Sequence, residues 1–300
     1  MSSKGVNFLR KQKFIDNVSL FKCPICGKDM GINETRSLVC TDNHSFDLAK
    51  KGYVNLLAGS RKDEYSKEML EARKQVCDRG FFEPLLERIS SLILEAIPGF
   101  QPASIKILDA GCGEGTHLAK VLADLENSGK PPWGDITGIG IDISREGIQI
   151  ASKNYHHIVW CVADLARIPI KDGKVDIILN ILSPSNYKEF KRILARNGLL
   201  LKVVPGTDYL GELRSVFYDQ TDKEAYSNEQ VIKHFSSSFN IINMEQIKYE
   251  FAVTREVLEE ITRMTPLSWG VPKDRLDKVI ASEIKKITVD FTLVLARNST

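Results

Sequence analysis

The sequence predicts an α/β protein, a doubly wound sheet flanked by helices, with a small metal-binding module ahead of it. Three observations predict this. A turn with a glycine at every second position, Asp109-Ala110-Gly111-Cys112-Gly113-Glu114-Gly115-Thr116, follows an apolar run ending at Leu108. It leads into a helical pattern with Leu118, Val121, Leu122 and Leu125 on one face, so the unit reads strand, tight turn, helix. A second strand ending in an acid, Ile139-Gly140-Ile141-Asp142, comes next. Upstream, Cys23, Cys26, Cys40 and His44 are spaced like metal ligands.

Composition sets the bounds. Three hundred residues suit one large domain with a small appendage. With 43% hydrophobic and 27% charged residues the chain is of ordinary globular type, and no apolar run approaches a membrane span. Met1 to Lys13 is polar and basic, without the apolar core of a secretory signal, so the cytoplasm is the expected compartment. Net charge is only +2, but residues 1–62 hold eleven Lys/Arg against five Asp/Glu. A basic appendage on a slightly acidic remainder points to a polyanionic partner.

In chain order, residues 1–20 have weak periodicity and read as a mobile arm, with Arg10, Lys11 and Lys13 able to touch phosphate or simply solvated. The pattern C-x2-C-x13-C-x3-H over Cys23, Cys26, Cys40 and His44 then suits a tetrahedral Cys3His zinc site. Gly27 supplies the turn of the first knuckle. Four protein ligands close the coordination sphere, so this zinc is expected to be structural. It compensates for a segment too short to build its own core. A redox C-x-x-C or unrelated cysteines are the alternatives. Cys77, Cys112 and Cys161 are scattered and form no disulfide framework. Gly59 to Asp63 reads as a linker. Ser66 to Gln75 reads as a serine-capped helix, and a second helix after Asp78–Pro84 runs to about Ile97.

From Ile105 strands are expected at 105–109, 136–141, 158–162, 175–181 and 198–204, with helices between. Residues 239–253 and 287–297 are β-rich and suited to pair as the last two strands. The glycine turn fails the dinucleotide fingerprint, whose third glycine would stand at Thr116 or Leu118. Instead D-x-G-x-G-x-G resembles motif I of the class I S-adenosylmethionine (SAM) methyltransferases. That resemblance implies a Rossmann-like, seven-stranded sheet ending in a hairpin. A generic glycine turn of another α/β protein is the competing reading.

The stretch Phe46-Asp47-Leu48-Ala49-Lys50-Lys51-Gly52-Tyr53-Val54-Asn55-Leu56-Leu57, which by itself could be a core-packing strand and turn, and the later Met264-Thr265-Pro266-Leu267-Ser268-Trp269 add specificity. With the Cys3His pattern, they make the chain from about Cys23 onward resemble the bacterial 23S rRNA (guanine-N1)-methyltransferases of the RlmA type. The resemblance implies a zinc-binding RNA-recognition module at 1–60, a linker with helices covering the cofactor at 61–99, and a methyltransferase domain at 100–300. It implies a 23S rRNA hairpin as partner, with a homodimer possible. It also implies methylation of one of two nearby guanines, one group of the family being associated with macrolide resistance.

Cofactor-binding candidates follow from placement. Asp109, Gly111, Gly113 and Gly115 belong to the turn, and Thr116 and His117 open the helix, where free N–H groups favour the methionine carboxylate. Asp142 is placed for the ribose hydroxyls, and Asp164 for the adenine amino group or else a surface cap. Asn180 begins the loop Asn180–Asn186, where related enzymes meet the substrate base; the family has an A-P-C-like loop there, and Ser183-Pro184-Ser185 departs from it. Phe82, where relatives often have Tyr, is implied to lie against the cofactor, a plain core aromatic being equally open. Tyr209 replaces the His of the family's P-G-x-x-H-L pattern and does not titrate near neutrality. Asp164 and Asp208 are candidate general bases for the N1 proton. Two other functions compete: a SAM enzyme acting on a small molecule or protein with the zinc module as a docking domain, and a non-catalytic RNA binder. The intact acids of the turn and second strand argue against the latter, and the basic module against the former.

Overall fold

The computed structural model describes residues 3–34, 36–59, 65–96, 104–128, 134–219 and 226–298, with side chains from Arg10 onward. The expected linker lies mostly outside the described residues, as does Ile97 at the end of the second predicted helix.

The N-terminal segment departs from expectation. It forms helix α1 (Ser3–Asn17), which is anchored to the rest of the protein. Phe14 is buried and meets Phe21, ring centroids 6.4 Å apart. Lys13, expected to touch phosphate or to be solvated, is instead buried and donates to the Ile158 carbonyl. Burial lowers its pKa from 10.5 to about 7. Strands β1 (Met30–Ile32), β2 (Ser37–Cys40) and β3 (Ser45–Asp47) make a small antiparallel sheet. This module is stitched to the larger half through Lys22 N–H to Pro169 O at 3.1 Å and Lys171 N–H to Leu20 O at 2.8 Å.

Strand β4 (Tyr53–Asn55) corrects the strand count. It pairs in parallel with β7 (Val159–Val162), Tyr53 opposite Trp160, so the large sheet has eight strands where seven were expected. The reason is an edge: β7 would otherwise present unpaired N–H and C=O groups, and the apolar Tyr53 and Val54 are buried by covering it. The stretch assigned to the RNA module therefore contributes to the main sheet.

Helix α2 (Lys67–Asp78) starts at its serine cap, Ser66 Oγ accepting from Met69 N–H at 3.2 Å. Helix α3 (Glu83–Ala96) follows. Then come β5 (Ser104–Ala110), α4 (Thr116–Asn127), β6 (Asp135–Asp142), α5 (Arg145–Asn154), β7, β8 (Val175–Ile181), α6 (Tyr187–Ile193) and β9 (Leu194–Pro205). The chain finishes through α7 (Gly211–Phe217), α8 (Glu229–Ser238), β10 (Asn240–Ala252), α9 (Arg255–Met264), α10 (Lys273–Ile280) and β11 (Lys286–Arg297). The sheet order is β10-β11-β9-β8-β5-β6-β7-β4, antiparallel at β10 and β11 and parallel elsewhere. Strand alternation separates two cores. Ile107 joins Leu85, Leu118 and Phe291, whereas Leu108 joins Phe14, Phe21, Leu38 and Ile139. The N-terminal module thus packs into the core of one sheet face.

Candidate active site

The metal centre is built by two turns. Gly27 takes a left-handed φ of 77° and its N–H bonds the Cys23 carbonyl at 2.9 Å, closing the first knuckle. Cys40 N–H bonds the His44 carbonyl at 3.1 Å, closing the second. The ligand atoms of Cys23, Cys26, Cys40 and His44 all lie within 4.8 Å of one another. Cys26 and Cys40 sulfurs are 3.6 Å apart, and His44 Nδ1 is 3.4 Å from Cys40 Sγ. A tetrahedron with Zn–S bonds of about 2.3 Å has an edge of about 3.8 Å, so the residues fit zinc. All four positions are protein ligands, leaving none for substrate.

At the carboxyl ends of β5, β6 and β8 two adjoining hollows open. The smaller, about 190 Å³, is lined by Gly111, Gly113, Asp142, Ser144, Asp164 and Leu165, among others. The larger, about 670 Å³, is lined by Tyr65, Phe82, Tyr187, Lys202, Tyr209 and Arg214, with Met264 to Leu267 also in its wall. They meet at Leu182, Ser183 and Pro184, with Tyr65 and Arg73 common to both.

Gly111 sits at φ 84°, and a Cβ there would fall 1.8 Å from Ser183 Oγ. Only glycine lets the β8 loop close over the turn. Asp142 accepts from Gly113 N–H and Ser144 N–H, each at 2.7 Å. It therefore holds the turn as well as lining the smaller hollow. Asp164 caps a short turn by accepting from Ala166 N–H at 2.8 Å and also lines the smaller hollow. This set, with bare backbone at Gly111 and Gly113 and two carboxylates beside them, fits the nucleoside part of SAM.

Other predicted residues stand behind this wall. A Cβ on Gly115 would meet the Trp160 ring at 2.5 Å, so that glycine serves helix packing. Asp109 is buried without lining either hollow, and desolvation raises its pKa to about 8. Thr116 Oγ1 lies 3.1 Å from the Tyr155 hydroxyl. His117 is buried edge-on to Phe82, centroids 4.6 Å apart, and burial drives its pKa well down, keeping it neutral. Asn180 pins the β8 loop, donating to Ala110 O at 2.8 Å and Pro184 O at 3.0 Å. Asp208 pairs with Lys248 at 2.6 Å on the surface and is not brought to either hollow.

Two residues that sequence reasoning passed over are central here. Arg73, on the buried face of α2, lies 3.2 Å from Glu114 and about 3.3 Å from His117 Nδ1, directly above the glycine turn. Lys202 stands within Leu199-Leu200-Leu201-Lys202-Val203-Val204 and bonds Asn180 Oδ1 and Ser183 O, each at 2.6 Å. The signal for both was a cation inside an apolar pattern.

A class I, SAM-dependent methyltransferase joined to a structural zinc ribbon is the kind of protein this sheet, turn and ligand set define. Family models agree, with "RlmA, N-terminal" matching residues 21–64 and "Methyltransferase domain" matching 107–202. The Bacillus subtilis (strain 168) protein YxjB, named as a candidate 23S rRNA (guanine-N(1)-)-methyltransferase, is 39% identical over 279 residues, 92% of this chain and 96% of that protein. A Streptomyces fradiae protein named 23S rRNA (guanine(748)-N(1))-methyltransferase is 30% identical over 93% of this chain and 97% of its own length. The chain belongs to the 23S rRNA (guanine-N1)-methyltransferase family.

Proposed function

We propose that this protein transfers a methyl group from SAM to N1 of a guanine in a hairpin loop of 23S rRNA. The observation that carries the reading is similarity over nearly the whole chain, through both modules, to a protein named for that reaction. Bound SAM supplies an electrophilic methyl group. The chain's own residues position the reactants. In this reading Asp142 receives the ribose hydroxyls, Asp164 the adenine edge, and the glycine turn backs the cofactor. Leu182, Ser183 and Pro184 stand between cofactor and substrate, and Phe82 and Tyr209 line the larger cleft beyond them. The larger cleft takes the guanine, unstacked from its loop, against Tyr65 and Tyr187. Much of the rate then comes from orientation. Residues 1–60 act as the RNA-recognition module, 61–99 cover the cofactor and 100–300 carry the chemistry. An rRNA substrate puts the work in the cytoplasm, and a homodimer would present two basic modules to one RNA.

The test is tritium transfer from labelled SAM to unmodified 23S rRNA, with digestion to nucleosides. Label in 1-methylguanosine is expected. Label in another nucleoside, or none in RNA, overturns the reading.

A further inference from the structure

The cleft assigned to guanine has an unusual charge balance. Among the described residues its wall contains Arg73, Lys202 and Arg214 and no carboxylate. Asp164 lies in the smaller hollow and Asp208 outside both. Yet guanine N1 carries a proton that must leave before or during methylation, and the charge so created spreads to O6.

Lys202 is placed to meet that charge. It is 4% exposed, and two of its ammonium protons go to Asn180 Oδ1 and Ser183 O. The third remains, on a residue that lines the cleft where the two hollows join. Burial alone lowers its pKa from 10.5 to about 8, with no carboxylate offsetting it, so it stays protonated at neutral pH. A neutral amide would satisfy the same two acceptors at smaller desolvation cost. The loop it holds is constrained as well: Leu182 sits at φ 52°, a left-handed conformation that persists only when surroundings impose it.

We propose that Lys202 is a catalytic residue that donates its third N–H to O6 of the target guanine and stabilises the N1-deprotonated base. The proposal rests on the guanine-N1 reading and deepens it. The N1 proton passes to water. The N1 lone pair forms the new N–CH3 bond as the S–CH3 bond breaks, and that bond's electrons remain on sulfur. A cationic cofactor and a neutral base thus become a neutral thioether, a neutral methylated base and one proton in solvent. Lys202 keeps its own proton throughout, acting as a fixed charge aimed where charge develops.

The experiment is a binding cycle on a synthetic 23S hairpin that the wild type methylates. A second hairpin carries 2-aminopurine, which lacks O6, at the methylated position. Filter binding should show wild type preferring guanine by about tenfold and Lys202→Met binding both hairpins equally. Lys202→Gln, which can still hold Asn180 and Ser183, guards against a folding defect. Its kcat should fall about 100-fold and its KM for the hairpin rise by up to about tenfold, as the O6 bond is lost, with SAM affinity little changed. Retained guanine preference in Lys202→Met, or wild-type kcat in Lys202→Gln, overturns the role of Lys202 while leaving the guanine-N1 reading intact. If the wild type methylates no guanine in any such hairpin, that reading fails and this inference falls with it.

Discussion

Asp142 shows how one side chain serves two purposes. Its oxygens fix the turn through Gly113 and Ser144 and border the smaller hollow. Hydrogen bonds to charged groups contribute about 1.5–3 kcal/mol each, so Asp142→Ala should lower SAM affinity at least tenfold. Calorimetry checks this, and an unchanged Kd removes Asp142 from the site. Lys202 carries a stability prediction. Its pKa is lowered from 10.5 to about 8 on folding, so between those pH values the unfolded chain binds more protons and stability rises with pH. Below pH 8 both states are protonated and burying the charge costs up to roughly 3 kcal/mol. As pH climbs from 8 towards 10.5, the wild type should therefore gain stability relative to Lys202→Met, measured by urea titration. A parallel pH dependence of the two proteins would mean that Lys202 is not depressed. Arg73 and Lys202 were visible as cations in apolar settings, but their partners Glu114 and Asn180 lie 41 and 22 residues away in sequence, so the setting could not be interpreted locally.

Secondary elements divide by whether their stabilising contacts are local. The strand from Ser104 to Ala110 and the helix after Gly115 were legible because periodicity and turn chemistry coincide there. Helix α1 was not, since its anchor is Phe14 packing on Phe21 and Lys13 reaching Ile158 O, 145 residues on. Strand β4 could be read as a core-packing strand, but its partner was hidden for the same reason: only the exposed edge of β7 makes a strand of three residues worthwhile. The small sheet β1–β3 is expected to depend on the metal its four clustered ligands would hold. Cys40→Ser should lose zinc, read by atomic absorption. It should also lose amide protection across residues 23–47, while β5 to β9 stay protected in hydrogen exchange. Full zinc occupancy in the variant would show the ligand set to be wrong.

At the scale of the molecule, the two modules are less separate than the sequence suggested. Lys51 Nζ donates to Gln149 Oε1 on α5 at 2.6 Å, and Tyr53 OH accepts from Gln149 Nε2 at 3.4 Å. Lys51 thus ties the basic segment to the methyltransferase half, and Lys50, exposed beside it, is the better probe of RNA contact. Lys50→Ala should weaken hairpin binding and reduce the salt slope by about 0.7–0.9, with SAM affinity unchanged. Filter binding across a salt series decides: equal affinity and slope in both proteins would make Lys50 a solvated surface charge. No helix among the described residues is long and apolar enough to cross a membrane.

The four zinc ligands, the glycine turn and the acid ending β6 could be identified from the sequence alone, because metal knuckles and strand–turn–helix units depend on neighbours a few residues apart. Tertiary structure decided what those motifs face. It put Ser183 against Gly111 and Trp160 against Gly115, so two glycines of one motif serve different ends. It moved Asp109, Thr116, His117 and Asn180 behind the cleft wall and carried Asp208 to Lys248 at the surface. It brought Lys202 to the junction of the two hollows. The physical reason is that burial and pairing are set by parallel strands meeting across long connections, and the sequence order of a residue holds no direct record of which of its two sheet neighbours it will face.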